Sequence, residues 1–325
     1  MTERQTIPGS GEEDILNFSH IPVMPDEVLE LLNCREGRVR MVDGTLGCGG
    51  HSSLVLKENE KAEVLGIDRD GEALIRARET LSFASGRIHL VRGKFGDLAE
   101  HIAATGWDLV DAVLLDLGIS SPQIDDSRRG FSHRLNGPLD MRMDKRSPDT
   151  ASRLLNRASE DELATIFRDY GEIKQSRKLA RAIVARRDEM PWTETEELVE
   201  LCDKVLGSSG KRSLPSATLC FQALRIAVND ELGELKKALE SALKVLKPGG
   251  RLVVISFHSL EDRIVKQFFK DKAADCVCPP GCPVCICDHR SEVKILTNKP
   301  VTAKQQELEI NRRAACAKLR AAEKI

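Results

Sequence analysis

The stretch MVDGTLGCGGHSS (Met41–Ser53) places four glycines within seven residues, directly after the acid Asp43. Glycine runs of this kind often cradle phosphates, because glycine lets the backbone approach a ligand closely or take positive φ. This loop lacks the Lys-Ser/Thr pair of a Walker loop, and its nearest fit to Gly-x-Gly-x-x-Gly, residues 47–52, ends in Ser52. A plain tight turn is the alternative. The stretch predicts close approach to a ligand that is bound without a phosphate cradle.

The sequence around this loop alternates between short apolar segments and amphipathic ones. Such alternation indicates a parallel sheet covered by helices on both faces. Strands are predicted at 38–43, 63–68, 87–91 and 111–116, and helices at 25–32, 52–59, 71–81 and 95–104.

The alternation stops near Ser121 and resumes with a helix at 235–246, a Lys-Pro-Gly-Gly turn and a strand at 251–256. The intervening segments look helical. Two independent domains in series would leave a lone strand in the second, so one α/β domain with a helical insertion is the simpler interpretation. The predicted parts are a flexible tail at 1–17, the α/β domain at 18–127 and 234–325, and the inserted helical domain at 128–233.

The composition is within reach of a soluble globular enzyme: 325 residues, 41% apolar and 31% charged. No apolar run approaches the ~20 residues that span a bilayer, and the N-terminus has no apolar signal core. We therefore expect a cytoplasmic protein without membrane contact. The net charge of −2 requires any nucleic-acid surface to be local. Segment 168–187, with seven Lys/Arg, is a candidate for it; a solvated helix face is the alternative.

Five of the ten cysteines fall within CVCPPGCPVCIC, residues 276–287. In a long chain that is expected to be cytoplasmic, reduced thiols or metal ligands are favoured over disulfides. A zinc site with His289 nearby and a reduced, proline-rich loop are both open. Because the spacing fits a four-ligand site only awkwardly, no metal is predicted.

Distinctive residues stand at the predicted strand ends, where open parallel sheets bind ligands. Asp68 ends the second strand and suits the two hydroxyls of a ribose; its alternative role, a helix N-cap, can be filled by Asp70. Phe95 follows the third strand and could cover an adenine face or belong to the core. Asp116 ends the fourth strand, before Ser120-Ser121-Pro122.

The loop after Asp116 suits chemistry at an exocyclic amino group, which needs a hydrogen-bond acceptor to orient its nitrogen. The strand ends together describe an adenosine-type ligand without a pyrophosphate. S-adenosylmethionine fits, because an amino acid replaces its phosphates. A nicotinamide-dependent dehydrogenase is the rival interpretation, disfavoured by the broken glycine fingerprint and the Ser-Ser-Pro loop. A non-catalytic RNA-binding module is the other, disfavoured by the intact strand-end residues.

Four motifs in a fixed order resemble those of the bacterial ribosomal RNA cytosine-N4 methyltransferase family. The resemblance runs from about Ser19 to the C-terminus. The motifs are DGTLGCGGHS (43–52), LDLGISSPQ (115–123), GPLDMRMD (137–144) and ISFHSLEDR (255–263). The resemblance implies a Rossmann-like class I S-adenosylmethionine-dependent methyltransferase sheet. It also implies methylation of N4 of a cytosine in the decoding region of 16S ribosomal RNA, in the small subunit.

The resemblance also assigns residues to the cofactor and to the reaction. The implied S-adenosylmethionine contacts are Gly49, Gly50, His51, Asp68, Phe95, Asp116 and Gln123. The candidate catalytic residues are Asp116, Ser120, Ser121, Pro122 and His258. His258 would either take the released proton or hydrogen-bond RNA, and both roles are open.

Three further features concern RNA and assembly. Arg142, Arg263 and segment 168–187 are expected phosphate contacts. The tail, Asn311-Arg312-Arg313-Ala314-Ala315-Cys316, departs from the family pattern Asn-Pro-Arg-x-Arg-Ser. The oligomeric state is not determined by the sequence, and a homodimer is compatible with it.

Overall fold

The computed structural model describes residues 22–207, 215–276, 278, 287 and 289–325. Within these ranges, seven strands form one sheet in the order β3-β2-β1-β4-β5-β7-β6. The strands are β1 (Val39–Asp43), β2 (Ala62–Asp68), β3 (Ile88–Arg92), β4 (Val110–Asp116), β5 (Leu246–Ser256), β6 (Val293–Ile295) and β7 (Lys318–Lys324).

The helices follow the predicted alternation closely, and the predicted α/β fold is confirmed. The first group covers the sheet: α1 (Pro25–Leu32), α2 (Gly50–Glu58), α3 (Gly71–Thr80), α4 (Leu98–Ala104), α11 (Glu231–Val245) and α12 (Ser259–Lys272). The remaining helices are α5 (Ser121–Asp125), α6 (Ala151–Arg157), α7 (Glu160–Asp169), α8 (Ser176–Arg187), α9 (Thr195–Leu206), α10 (Ser216–Asn229) and α13 (Gln305–Ile310).

The sheet places a topological switch point between β1 and β4. Strands β1 to β5 pair in parallel; the chain builds outward from β1 to β3 and then crosses to β4 on the other side of β1. Alternate strand residues enter two cores, as Met41 and Val42 show on opposite faces. Ligands of such sheets bind beyond the carboxyl ends of the strands at the switch point.

Two parts of the sheet differ from the sequence prediction. The Lys-Pro-Gly-Gly turn lies inside β5. The pairing register between β4 and β5 shifts at this point: Val110 pairs with Leu246, but Ala112 pairs with Arg251. Strands β6 and β7 are not predicted by the pattern at all. The segment of β7, KLRAAEK, is rich in helix-forming residues, but it pairs antiparallel with both β5 and β6. Burial between two strands outweighs intrinsic propensity here.

Helices α6 to α10 enclose a third hydrophobic cluster that includes Phe167, Leu179, Ile183 and Trp192. A separate core supports the proposal that residues 128–233 form an inserted domain. Helix α11 begins at Glu231, at the end of this range, and packs on the sheet. No helix in the described part of the chain is long and apolar enough to cross a membrane.

A buried arginine ties the start of the insertion to the sheet domain. Arg129, only 2% exposed, places Nη1 2.8 Å from Oδ2 of Asp70 and 3.1 Å from Oε2 of Glu72. Its Nη2 donates to the carbonyl oxygens of Arg142 and Met143, at 2.9 and 3.3 Å. The Gly-Pro-Leu-Asp-Met-Arg-Met-Asp motif is therefore held against the first turn of α3.

Candidate active site

A cavity of about 1440 Å³ opens at the carboxyl ends of β1, β2, β4 and β5. It gathers most of the residues that the sequence singles out, from loops far apart in the chain. The predicted residues that line it are Gly50, His51, Asp68, Phe95, Asp116, Ser120, Ser121, Pro122 and Gln123. Gly49 and His258 are not among the lining residues.

The glycine loop lies across the ends of two neighbouring strands. The N–H of Gly47 donates to Oδ2 of Asp68 at 2.8 Å, and the N–H of Asp116 donates to Oγ1 of Thr45 at 2.6 Å. Gly47 and Gly49 have φ of 54° and 83°, which glycine adopts without strain. Gly47 lines the cavity, whereas a Cβ on Gly49 would meet Leu81 at 2.9 Å. Gly47 is thus a lining residue that the motif comparison did not select.

Two carboxyl groups at the strand ends have raised pKa values. Burial raises the pKa of Asp43 to about 6, although its carboxylate accepts a hydrogen bond from Ser52 Oγ at 2.7 Å. Burial likewise raises the pKa of Asp68 to about 6, against the lowering effect of the N–H groups of Asp70 and Gly47. Each Asp68 oxygen accepts one backbone N–H, and a carboxylate oxygen can accept more than one hydrogen bond. Asp68 therefore retains acceptor capacity toward the cavity.

His51 and Asp116 form an incompletely satisfied polar pair in the cavity wall. Nε2 of His51 lies 3.6 Å from Oδ2 of Asp116. Among the described residues, neither ring nitrogen of His51 nor Oδ1 of Asp116 has a hydrogen-bond partner, although these atoms are buried. Buried polar atoms without partners are costly, and they are typical of positions that a ligand completes. The wall therefore fits a ligand with several polar groups, such as the amino-acid end of S-adenosylmethionine.

The side chain of Gln123 makes hydrogen bonds that stabilise the Ser-Ser-Pro loop. Its Nε2 donates to Oδ2 of Asp70 at 2.8 Å, and its Oε1 accepts the N–H of Ser120 at 3.1 Å. Asp70 also accepts the N–H of Glu72 and is therefore the N-cap of α3. This is the role that the sequence predicts for Asp70, which leaves Asp68 for the ligand. Gln123 still lines the cavity, but its hydrogen bonds in this structure stabilise the loop.

His258 lies behind the cavity wall as the N-cap of α12. Its Nδ1 accepts the N–H of Glu261 at 3.4 Å, and its Nε2 lies 3.1 Å from Oε1 of Glu261. Because a backbone N–H can only donate, Nδ1 is the acceptor of this contact. Nε2 faces the Glu261 carboxylate but has no hydrogen-bond partner among the described residues. His258 therefore serves here as a helix cap.

Most predicted phosphate contacts are engaged within the protein. Arg142 donates to both oxygens of Asp140 at 2.8 Å and to the carbonyl oxygens of Lys145 and Ser147. Arg263 pairs with Glu172 at 3.1 Å. Within segment 168–187, the arginines with ion-pair or carbonyl partners are Arg168, Arg181, Arg186 and Arg187. Four of the arginines of this segment therefore have partners within the protein.

The C-terminal segment forms one rim of the cavity, a role that the sequence pattern does not reveal. Residues 309–313 line the cavity. Arg313 donates to both oxygens of Asp125 on α5, at 2.9 and 3.1 Å, and Glu307 accepts the N–H of Met24 at 2.7 Å. The segment that departs from the family pattern is thus attached to the helix that carries Pro122.

Comparison with known proteins gives matches over nearly the whole chain. The model of the MraW methylase family matches residues 17–325. Ribosomal RNA small subunit methyltransferase H of Heliobacterium modesticaldum is 48% identical over 311 residues, covering 95% of this chain and 99% of the relative. The protein of the same name from Geobacter sulfurreducens is 49% identical over 313 residues, covering 95% and 100%.

Proposed function

The chain belongs to the MraW methylase family, and from this premise we propose that it methylates ribosomal RNA with S-adenosylmethionine as donor. The proposed target is the exocyclic N4 amino group of a cytosine in the decoding region of 16S ribosomal RNA, reached by direct in-line methyl transfer. The observation that carries the proposal is the partly unsatisfied Asp116 carboxylate, which shares one cavity with Asp68 and the Ser-Ser-Pro loop. Family membership favours methyl transfer over the dehydrogenase alternative.

In this proposal, residues of the cavity wall contact the donor. The Asp68 carboxylate would accept from the ribose hydroxyls, and the Phe95 ring would pack against adenine. The backbone of Gly47 and Gly50 permits close approach at the amino-acid end, beside His51. When bound, S-adenosylmethionine supplies a methyl group on a sulfonium, which needs no further activation.

Asp116 and the adjoining loop would orient the nucleophile. The target cytosine would leave its stack and enter near Ser120-Ser121-Pro122, since a base within a helix presents its amino group poorly. Asp116 would accept one N–H of the amino group, directing the nitrogen for attack, and could take the proton released afterwards. Its position is fixed because its own N–H donates to Thr45. His258 is not assigned this proton, because its ring is occupied as a helix cap.

The proposed substrate is 16S ribosomal RNA in the small subunit, and the proposed location of the enzyme is the cytoplasm. The test is to incubate the protein with labelled donor and either 16S RNA or small subunits that lack the modification. Digestion to nucleosides followed by mass spectrometry should show N4-methylcytidine, with subunits methylated faster than RNA. Label found only in a ring-methylated or ribose-methylated nucleoside would refute the N4 assignment.

The affinity for S-adenosylhomocysteine is expected to depend on pH through Asp68. Its raised pKa of about 6 means that the carboxyl gains a proton as the pH falls through 6. The protonated group loses acceptor capacity for the ribose, so the dissociation constant should rise by up to about tenfold per pH unit below 6. Isothermal titration calorimetry across this range measures the effect.

The control for this prediction is Asp68→Asn, which cannot titrate. We expect weak binding by this variant at every pH and a flat profile. Asp43 has a similar raised pKa of about 6. If Asp68→Asn keeps the pH dependence of the parent protein, Asp43 or another group is responsible and the assignment to Asp68 is wrong.

A further inference from the structure

Three cysteine thiols converge far from the proposed methyl-transfer chemistry. The Sγ atoms of Cys276, Cys278 and Cys287 all lie within 4.8 Å of one another. The Sγ atoms of Cys276 and Cys287 are 3.7 Å apart, and the N–H of Cys278 donates to Sγ of Cys276 at 3.4 Å. In the sequence alone, the spacing fits a four-ligand site only awkwardly and a zinc site stays open; the fold brings residues eleven positions apart into contact.

The 3.7 Å distance between Sγ of Cys276 and Sγ of Cys287 matches a tetrahedral metal site. Zinc binds thiolate at about 2.3 Å, which places two sulfurs of a tetrahedron about 3.8 Å apart. A thiolate that accepts a backbone N–H, as Cys276 does, is a typical outer contact of such sites. We propose that the thiolates of Cys276, Cys278 and Cys287 bind a zinc ion.

The other two cysteines of the stretch, Cys282 and Cys285, lie outside the described residues. The proposal therefore rests on the three thiols of described residues, and thiolate ligands are typical of structural zinc.

A zinc ion at this site would stabilise the loop that carries the three cysteines. It connects α12 to β6, and its two ends meet where the N–H of Glu292 donates to the carbonyl oxygen of Lys272 at 2.7 Å. Nζ of Lys272 also lies 3.0 Å from Glu292 and 3.3 Å from Glu240. Among its described residues the loop has no helix or strand of its own.

The proposed role of the zinc is structural. Helix α12 begins directly after His258 and has 14 residues, which corresponds to about 21 Å of helix, and the cysteines follow its C-terminal end in the sequence. Zinc would fix the loop that leads into the edge strand β6. This inference does not depend on the identity of the methyl acceptor.

The test measures zinc by plasma mass spectrometry in full-length protein purified under reducing conditions without added metal. We expect one zinc per chain, and loss of that zinc in Cys276→Ser, Cys278→Ser and Cys287→Ser. Cys316→Ser is the matched control and should retain it. Cobalt substitution of the parent protein should give a thiolate-to-cobalt charge-transfer band in the near ultraviolet.

Two results would overturn the proposal. One is parent protein whose thiols all react with a thiol reagent, yet which holds no zinc and takes up none in titration. The other is zinc retained by the combined Cys276→Ser, Cys278→Ser, Cys287→Ser variant. Circular dichroism and S-adenosylhomocysteine binding show whether each variant is folded, so that loss of zinc is not confused with unfolding.

Discussion

Replacing Asp116 with alanine is expected to lower the rate of methyl transfer by about 10²–10⁴-fold. The carboxylate stands at the end of β4 in the cavity wall, and its Oδ1 has no hydrogen-bond partner among the described residues. Its removal would leave the target amino group without the acceptor that orients its nitrogen. The rate is measured in single turnovers with tritium-labelled donor and small subunits, so that product release does not mask the chemical step.

Two further variants separate the possible roles of this carboxylate. Asp116→Asn retains an acceptor oxygen but cannot take a proton at neutral pH. A rate near that of the parent would assign Asp116 to orientation alone, whereas a loss as large as that of alanine would assign it the proton as well. Asp108→Ala, an exposed residue near the start of the same strand, should leave the rate unchanged. Parent-level turnover by Asp116→Ala would refute both roles.

The sequence predicts the sheet and its acidic strand ends well because both depend on local patterns. Apolar strands alternating with helices specify the parallel sheet, and parallel strands bring Asp43, Asp68 and Asp116 to one edge. The partners of individual side chains depend on long-range contacts instead. Gln123 bonds to Asp70, 53 positions away, and this pairing has no local signal.

The same limit explains the features that the sequence did not predict. His258 has the residue type of a proton acceptor, but the reciprocal contacts with Glu261 make it a helix cap. Strand β7 has a helix-forming composition, and only its pairing with β5 and β6 makes it a strand. The convergence of Cys276 and Cys287 likewise depends on how the loop folds back.

Arg129→Ala is expected to lower the free energy of unfolding by about 3–5 kcal/mol, because removing one partner leaves the buried Asp70 carboxylate uncompensated. Asp70 and Arg129 are 3% and 2% exposed. The variant also loses the hydrogen bonds to the carbonyl oxygens of Arg142 and Met143, which attach the insertion to α3. Urea denaturation followed by circular dichroism measures the change.

The neighbouring Arg128 provides the matched control. Its side chain is 85% exposed and pairs with Asp126 on the surface, so Arg128→Ala should change the unfolding free energy by less than about 1 kcal/mol. Because Asp70 follows Asp68 by two residues, Arg129→Ala should also weaken S-adenosylhomocysteine binding, whereas Arg128→Ala should weaken it less. Equal stability of the two variants would show that Arg129 does not hold the insertion against the methyltransferase sheet, and the cavity would then depend on other contacts for its shape.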